Sequence, residues 1–224
     1  MIIQHMAALN AKRIVLASGS PRRREILTIL GLSHEVHVSS FEEDLDKATF
    51  PSPADYVRKN ASMKAAAVVA ELATKVVGSG ERGVGDHSAV DLVIGSDTVV
   101  VVDGRILEKP RSEAAAFDML STLSGREHEV LSAVALFTPS LSNATSPASV
   151  LCESTKVSFA PLSSETIAAY IRTGEPMDKA GSYGIQGIGG SFVSGIAGCY
   201  YNVMGFPLHA FTKAVVGLLD AGEL

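Results

Sequence analysis

The sequence has few cysteines, no tryptophan and no long uninterrupted run of apolar residues. Cys152 and Cys199 are its only cysteines, too few for a disulfide framework or a cysteine zinc site. Two uncharged stretches, 130–152 and 180–212, are broken by proline or glycine and fall short of the ~18 apolar residues of a membrane span. The first ten residues lack the pattern of a secretory signal. We therefore expect a reduced, cytoplasmic setting and no membrane partner.

An excess of positive charge is also absent. The 224 residues include 19 Lys+Arg and 24 Asp+Glu, for a net charge of −5, which argues against a broad basic surface for DNA or RNA. A small phosphorylated ligand needs only a local cluster of cations and stays compatible with this balance. The length and the 46% hydrophobic content suit one folded domain. We place that domain at 13–220 and treat 1–12 as an N-terminal extension.

Short apolar runs alternate with helical patterns along the chain, which predicts an α/β fold. Pro21 predicts the start of a helix and Gly31 its end. Asp103-Gly104 predicts a hairpin after the apolar run that begins at Leu92, and such hairpins favour a mixed sheet. Polar loops are expected at 78–91 and 138–149; the first contains a dinucleotide-type glycine motif in a context that does not fit it.

Three polar segments are predicted at strand ends, where α/β sheets bind ligands. Ser18-Gly19-Ser20-Pro21-Arg22-Arg23 combines small residues, a helix N-terminus and arginines, which suits a phosphate; a capped surface helix is the alternative. Asp97 follows a buried run, where it would bind a divalent cation, take a proton from water or only cap a turn. Lys109 would lie near the same edge, as a phosphate contact or an ordinary surface lysine.

A fourth segment, 178–190, is dense in glycine. Such glycine usage indicates that the backbone approaches a ligand or adopts positive φ angles. A structural loop packed on the sheet explains the composition equally well, so both interpretations stay open.

Five segments together resemble the Maf (septum-formation) family over about residues 13–218. They are Ala17-Ser18-Gly19-Ser20-Pro21-Arg22-Arg23, Gly95-Ser96-Asp97-Thr98, Leu107-Glu108-Lys109-Pro110, Leu123-Ser124-Gly125-Arg126-Glu127-His128 and Asp178-Lys179-Ala180-Gly181-Ser182-Tyr183-Gly184-Ile185-Gln186-Gly187. The resemblance implies a fold similar to that of the inosine-triphosphate pyrophosphatases. In that fold a long mixed β-sheet with flanking helices forms two lobes around a cleft. It also implies a homodimer.

The resemblance further implies hydrolysis of dTTP and UTP to the monophosphate and pyrophosphate. Asp97 matches the catalytic carboxylate, as general base or metal ligand, and Glu43 is the second candidate metal carboxylate. The expected substrate-binding residues are Ser18, Arg22, Arg23, Lys64, Thr98, Lys109, Lys179 and Gln186, of which Arg22, Thr98 and Gln186 match positions that set base preference. Charge neutralisation of the polyphosphate indicates Mg²⁺ or Mn²⁺ as cofactor.

The chemistry of the base agrees with this assignment. Uracil and thymine present an N3–H donor between two carbonyl acceptors, which the amide of Gln186 and the guanidinium of Arg22 match. The alternative is a non-catalytic nucleotide-sensing regulator of cell division. The choice of metal and the physiological substrate, a canonical or a modified pyrimidine nucleotide, stay open.

Overall fold

A seven-stranded mixed β-sheet lies at the centre of the computed structural model, which describes residues 1–78, 89–139 and 146–224. The strands are β1 Ile14–Leu16, β2 Glu35–Val36, β3 Leu92–Val102, β4 Arg105–Leu107, β5 Glu127–Phe137, β6 Ser149–Phe159 and β7 Val193–Ala197. Most of the two expected polar loops, and with them residues 79–83 of the glycine motif at 78–83, lie outside the described residues.

The helices flank this sheet. They are α1 Met6–Asn10, α2 Pro21–Leu30, α3 Pro53–Gly78, α4 Glu113–Leu123, α5 Ser164–Ile171, α6 Tyr200–Met204 and α7 Leu208–Asp220. Short 3₁₀ turns occur at Ile2–His5, Lys47–Thr49, Glu175–Asp178, Ala180–Ser182 and Ile188–Phe192.

The strand order is β2-β1-β3-β5-β6-β7, with β4 also paired to β3. Strand β1 is parallel to β2 and β3, whereas β3, β5, β6 and β7 pair antiparallel in succession. The predicted mixed sheet is therefore confirmed. Strand β2 is the shortest of the seven and covers only Glu35–Val36.

Local signals account for most element boundaries. Pro21 is the first residue of α2, and Gly31 ends it with φ = 80°, a left-handed conformation that glycine adopts without strain. Asp103 and Gly104 have φ of 49° and 74° in the β3–β4 turn, as the hairpin signal predicts. Ser112 caps α4 by accepting a hydrogen bond from the Ala115 amide.

Three apolar clusters divide the molecule into two lobes. Two of them form the first lobe, in which α2 and α7 pack on one face of the sheet and α3 packs on the opposite face. The third cluster forms the second lobe, in which α4 and α5 pack against the end of β3, the start of β5 and the end of β6. This arrangement confirms the expected two-lobed α/β fold around a cleft. The long strands β3 and β5 run through both lobes.

The segment 1–12, predicted to be an extension, packs on the first lobe. Leu9 is fully buried and Ile2 is 5% exposed, both within the cluster that contains α7. Within the described ranges, no helix is long and apolar enough to cross a membrane.

Candidate active site

A cleft of about 630 Å³ lies between the two lobes. Its walls come from the turn before α2, the middle of β3, the end of β4 and the segment that follows α5. All ten residues predicted for the site line it: Ser18, Arg22, Arg23, Glu43, Lys64, Asp97, Thr98, Lys109, Lys179 and Gln186.

The floor of the cleft is an ion-paired cluster of Asp97, Lys64 and Glu43. Lys64 Nζ lies 2.8 Å from Asp97 Oδ1 and 2.8 Å from Glu43 Oε2. Asp97 and Lys64 are only 6% and 8% exposed, whereas the side chain of Glu43 is 48% exposed. Because a buried charge is costly unless it is paired, this ammonium is what permits a carboxylate at this depth.

The predicted position of Asp97 at the end of a strand is wrong. Asp97 lies in the middle of β3, paired with Ala133 of β5 in a continuous eleven-residue strand. The local pattern does not reveal what permits a charge within the strand, because the partner that neutralises the carboxylate, Lys64, lies 33 residues earlier on α3.

A close approach of α3 to β3 brings these two charges together. Gly95 lies where a Cβ would be 2.2 Å from the Ala61 carbonyl oxygen and 2.8 Å from the Ala65 Cβ. Only glycine therefore lets the helix lie directly on the strand at this point. Lys64, on the same stretch of helix, reaches Asp97 two residues further along β3 as a result.

Glu43 is held by residues 40–47, which we call the strap. At one end, the Ser40 hydroxyl donates to Glu71 on α3 at 2.5 Å. At the other end, Lys47 Nζ donates to Glu108 at 2.7 Å. Glu43 therefore lies between two anchored points.

Glu108 lines the cleft and was not among the predicted site residues, although it lies in one of the quoted motifs. Its carboxylate also accepts a 2.6 Å hydrogen bond from the Tyr56 hydroxyl. Burial alone would raise its pKa, but hydrogen bonds from Lys47 and Tyr56 outweigh burial and lower it. Glu108 is thus an ionised anchor for the strap.

Arg23 lines the cleft but uses most of its donors within the protein. Its guanidinium donates to the carbonyls of Gly205 and Ser96 and to the hydroxyls of Ser18 and Thr98, at 2.9–3.1 Å. Burial lowers its pKa, and the nearby carboxylates of the floor oppose that effect. Arg23 therefore fixes the start of α2 against β3. Its contact with a substrate stays a prediction.

Thr98 has a similar connecting position. Besides accepting from Arg23, its hydroxyl lies 2.9 Å from Ser132 Oγ and 3.2 Å from the Gly205 carbonyl. These contacts link β3, β5 and the turn after α6.

The rim of the cleft consists of two hydrogen-bonded pairs that join the lobes. Arg22 Nη1 on α2 donates to Asp178 Oδ2 at 3.1 Å, and Gln186 Nε2 donates to Glu25 Oε2 on α2 at 3.2 Å. The pKa of Asp178 would be raised by burial, but the cations Lys179 and Arg22 outweigh it and lower the pKa. Sequence reasoning did not single out Glu25, which resembles any exposed helix residue.

The two remaining lysines differ in their surroundings. Lys109 is exposed and has no ion-pair partner among the residues that the structure describes. Lys179 Nζ donates to the Glu175 carbonyl at 2.5 Å and to Asp178 Oδ1 at 2.6 Å. Lys109 is therefore the more available cation for an anionic ligand.

The glycine-dense segment has a largely structural explanation. The carboxylate of Glu175 accepts hydrogen bonds from the amides of Ile188 and Gly189 and from the Tyr170 hydroxyl. A Cβ on Gly187 would lie 2.4 Å from that carboxylate, so the glycine lets the loop pack closely around Glu175 as it stands. Gln186 is held at the rim by this loop.

The donor set on the floor fits a divalent cation. Among the described residues no three His, Cys, Asp or Glu side chains converge on one point. Two carboxylates do converge, because Asp97 and Glu43 share one ammonium. Mg²⁺ is commonly held by one or two carboxylates together with substrate phosphates, and this arrangement offers such a pair.

The fold and the site define a two-lobed α/β protein whose interlobe cleft combines a buried carboxylate–lysine centre with exposed cations. Comparison with protein-family models agrees with that class and narrows it. Residues 13–218 match the model described as Maf-like protein. The chain therefore belongs to the Maf-like family.

Relatives with assigned names cover most of the chain. A dTTP/UTP pyrophosphatase of Bacillus cereus is 41% identical over 95% of this chain and 94% of its own length. One of Vibrio cholerae is 43% identical over 90% and 95%. A probable bifunctional dTTP/UTP pyrophosphatase/methyltransferase protein of Homo sapiens is 47% identical over 92% of this chain, which spans 32% of that longer protein.

Among solved structures, the Ham1 protein of Staphylococcus aureus aligns with 95% of this chain and 100% of its own, at 16% identity and a TM-score of 0.42. That similarity is too low to bear on activity.

Proposed function

We propose that this protein is a nucleoside triphosphate pyrophosphatase that converts dTTP and UTP to the monophosphate and pyrophosphate. The observation that carries the proposal is the buried Asp97–Lys64 pair with the adjoining Glu43, on the floor of a cleft whose rim holds Arg22 and Gln186. Relatives named dTTP/UTP pyrophosphatase match the chain over nearly their whole length and support the same function.

Asp97 is the residue proposed to act on water. Its carboxylate lies at the bottom of the cleft, with Oδ1 bonded to Lys64 and the remaining acceptor sites available to orient a water or take its proton. Lys64 holds this carboxylate in place through a 2.8 Å hydrogen bond. This geometry is compatible with Asp97 as a general base and equally with Asp97 as a metal ligand.

Glu43 and Asp97 would together hold a divalent cation, for which Mg²⁺ and Mn²⁺ are the candidates. When bound, the cation supplies charge neutralisation of the polyphosphate and of the departing pyrophosphate. Lys109, exposed just beyond the end of β4, would add positive charge from the protein side. The strap keeps Glu43 beside Lys64 through its two anchors.

The rim is proposed to select the base. Arg22 and Gln186 project from opposite lobes, so a pyrimidine between them would meet a guanidinium donor and an amide. A missing partner at such a polar contact costs about 1–3 kcal/mol, enough for a clear preference among bases.

Product analysis across a panel of triphosphates tests this function. With Mg²⁺ or Mn²⁺ we expect dTTP and UTP to give monophosphate and pyrophosphate, and Asp97→Asn to abolish turnover while nucleotide still binds. Asp118→Asn is the matched control, because Asp118 is exposed on α4 and does not line the cleft. Release of single phosphates, or full activity of Asp97→Asn, would contradict the proposal. Binding without turnover by the unaltered protein would favour the nucleotide-sensing regulator.

A homodimer and a cytoplasmic location stay predictions from the resemblance and the cysteine content. Sedimentation of the purified protein at several concentrations checks the first of these directly.

A further inference from the structure

The two pairs at the rim share a reciprocal design. Each lobe contributes one residue that would recognise the base, Arg22 in the first lobe and Gln186 in the second. Each lobe also contributes one carboxylate that accepts a hydrogen bond from the base-recognising residue of the other lobe. Arg22 and Glu25 are three residues apart on α2, and therefore lie on one face of that helix. Asp178 and Gln186 belong to the segment after α5 in the second lobe.

The contact between Gln186 and Glu25 fixes the direction of an amide. An ionised carboxylate only accepts hydrogen bonds, so the nitrogen side of the Gln186 amide has to face Glu25. This leaves Oε1, which has no hydrogen-bond partner among the residues that the structure describes, and the second N–H. Both Gln186 and Glu25 are exposed, and the Gln186 side chain makes no further hydrogen bond to the residues that the structure describes.

This direction matters because an amide reads different pyrimidines in opposite orientations. Uracil and thymine donate from N3–H to an acceptor and accept at the adjacent carbonyl. Cytosine accepts at N3 and donates from its amino group, so it needs the reversed amide. With Glu25 in place, the nitrogen of Gln186 is turned toward α2 and Oε1 is turned away from it. A base whose N3 lies on the Oε1 side then meets an acceptor at N3, which suits the N3–H of uracil and thymine and not the bare N3 of cytosine.

We propose that Glu25 is a specificity-determining positioning residue, which holds the Gln186 amide in the orientation that favours uracil and thymine over cytosine. The proposal rests on the proposed function of the cleft and adds a residue to it. Asp178 restrains Arg22 in the same manner, through Nη1 at 3.1 Å and through its carbonyl to Nη2 at 3.4 Å.

The test compares UTP with CTP, because the two nucleotides carry identical sugars and phosphates. We expect Glu25→Ala to lower the kcat/KM ratio of UTP to CTP about threefold to tenfold, since the amide then rotates freely. Glu25→Lys should lower the ratio further, because an ammonium donates to Oε1 and turns the nitrogen toward the base. A general gain in triphosphate affinity from the added charge cancels in this ratio.

Glu113→Ala, an exposed glutamate at the start of α4, is the control and should keep the ratio of the unaltered protein. The dissociation constants of UTP and CTP, measured in the Asp97→Asn background, give a second readout that needs no turnover. Unchanged ratios in both Glu25 variants, by kinetics and by binding, would overturn the role of Glu25. Absence of pyrophosphate release by the unaltered protein would instead count against the proposed function, and the binding ratio would still decide the role of Glu25.

Discussion

The floor and the rim of the cleft are built from the same kinds of side chains but differ in burial. On the floor, Asp97 and Lys64 have side chains only 9% and 10% exposed. At the rim, Arg22 and Asp178 have side chains 24% and 59% exposed. Carboxylates thus lie beside cations or amide donors in both places, in different solvent surroundings.

This difference separates two tasks. A buried ion pair is strongly coupled, because removal of one partner leaves an uncompensated charge. An exposed pair contributes little to stability and is weakened by salt, yet it still fixes the direction of a side chain. We infer that the floor carries the reaction and the stability, whereas the rim carries the choice of base.

The largest expected effect is that of Lys64→Met, which breaks the floor. Asp97 would remain buried without its counter-ion, so the free energy of unfolding should fall by about 3 kcal/mol. Turnover of dTTP should fall about a hundredfold or more, because a preorganised charge in the site is lost. Urea unfolding and steady-state kinetics measure the two effects. Lys59→Met, an exposed site on the same helix, should change neither; equal effects of the two variants would refute the distinction.

Gly95→Ala separates helix and strand beneath the floor without removing a charge. The new methyl would lie 2.2 Å from the Ala61 carbonyl, so α3 has to shift, at a cost of about 1–3 kcal/mol. Activity should fall as well, because the shift moves Lys64 from Asp97. Gly217→Ala on α7 is the matched control, since its Cβ would meet nothing within 4 Å. Thermal unfolding that ranks the two variants alike would contradict this explanation.

His128 tests whether burial alone, away from the cleft, makes stability and activity sensitive to a substitution. It is 2% exposed, bonds the Tyr183 hydroxyl at 2.8 Å and does not line the cleft. Burial lowers its pKa to about 4, below the value of about 6.5 for an unperturbed histidine. Its neutral form therefore stabilises the fold fully above the higher value, and that contribution is lost as pH falls toward the lower one.

We therefore expect the free energy of unfolding to drop by up to about 1.4 kcal/mol per pH unit between these limits through His128 alone. His128→Phe should flatten that part of the profile, while kcat for dTTP at neutral pH changes only a few-fold. An identical pH slope in both proteins, measured by urea titrations, would argue against the role of His128.

The smallest expected effect on stability comes from Asp178→Asn at the rim. Loss of this exposed pair with Arg22 should change the free energy of unfolding by less than about 1 kcal/mol. The residual difference should vanish at high salt, since exposed charges are screened. A change as large as that of Lys64→Met, in denaturant titrations at low and high salt, would remove the contrast between rim and floor.

Much of this architecture follows from local sequence signals. Pro21, Gly31, Ser112 and the Asp103-Gly104 turn mark boundaries that depend only on nearby backbone chemistry. The predicted site residues also meet in one cleft, because motifs of a single family carry the information on what lies together in space.

The parts that sequence reasoning missed depend on distant partners. A charge in a central strand contradicts local expectation, and only Lys64 on α3 explains Asp97. Glu25 and Glu175 act through hydrogen bonds to residues 161 and 13–14 positions away, which no local pattern reveals. Strand β7 and helix α6 were likewise not predicted, because their sequence lies within a glycine-rich uncharged stretch.

The most direct measurement of the central claim is a crystal structure of Asp97→Asn with dTTP and Mg²⁺. We expect the polyphosphate above residue 97, close to Lys64 and Lys109, and the thymine between Arg22 and Gln186. A nucleotide bound elsewhere, or with its base and phosphates exchanged between rim and floor, would contradict the account.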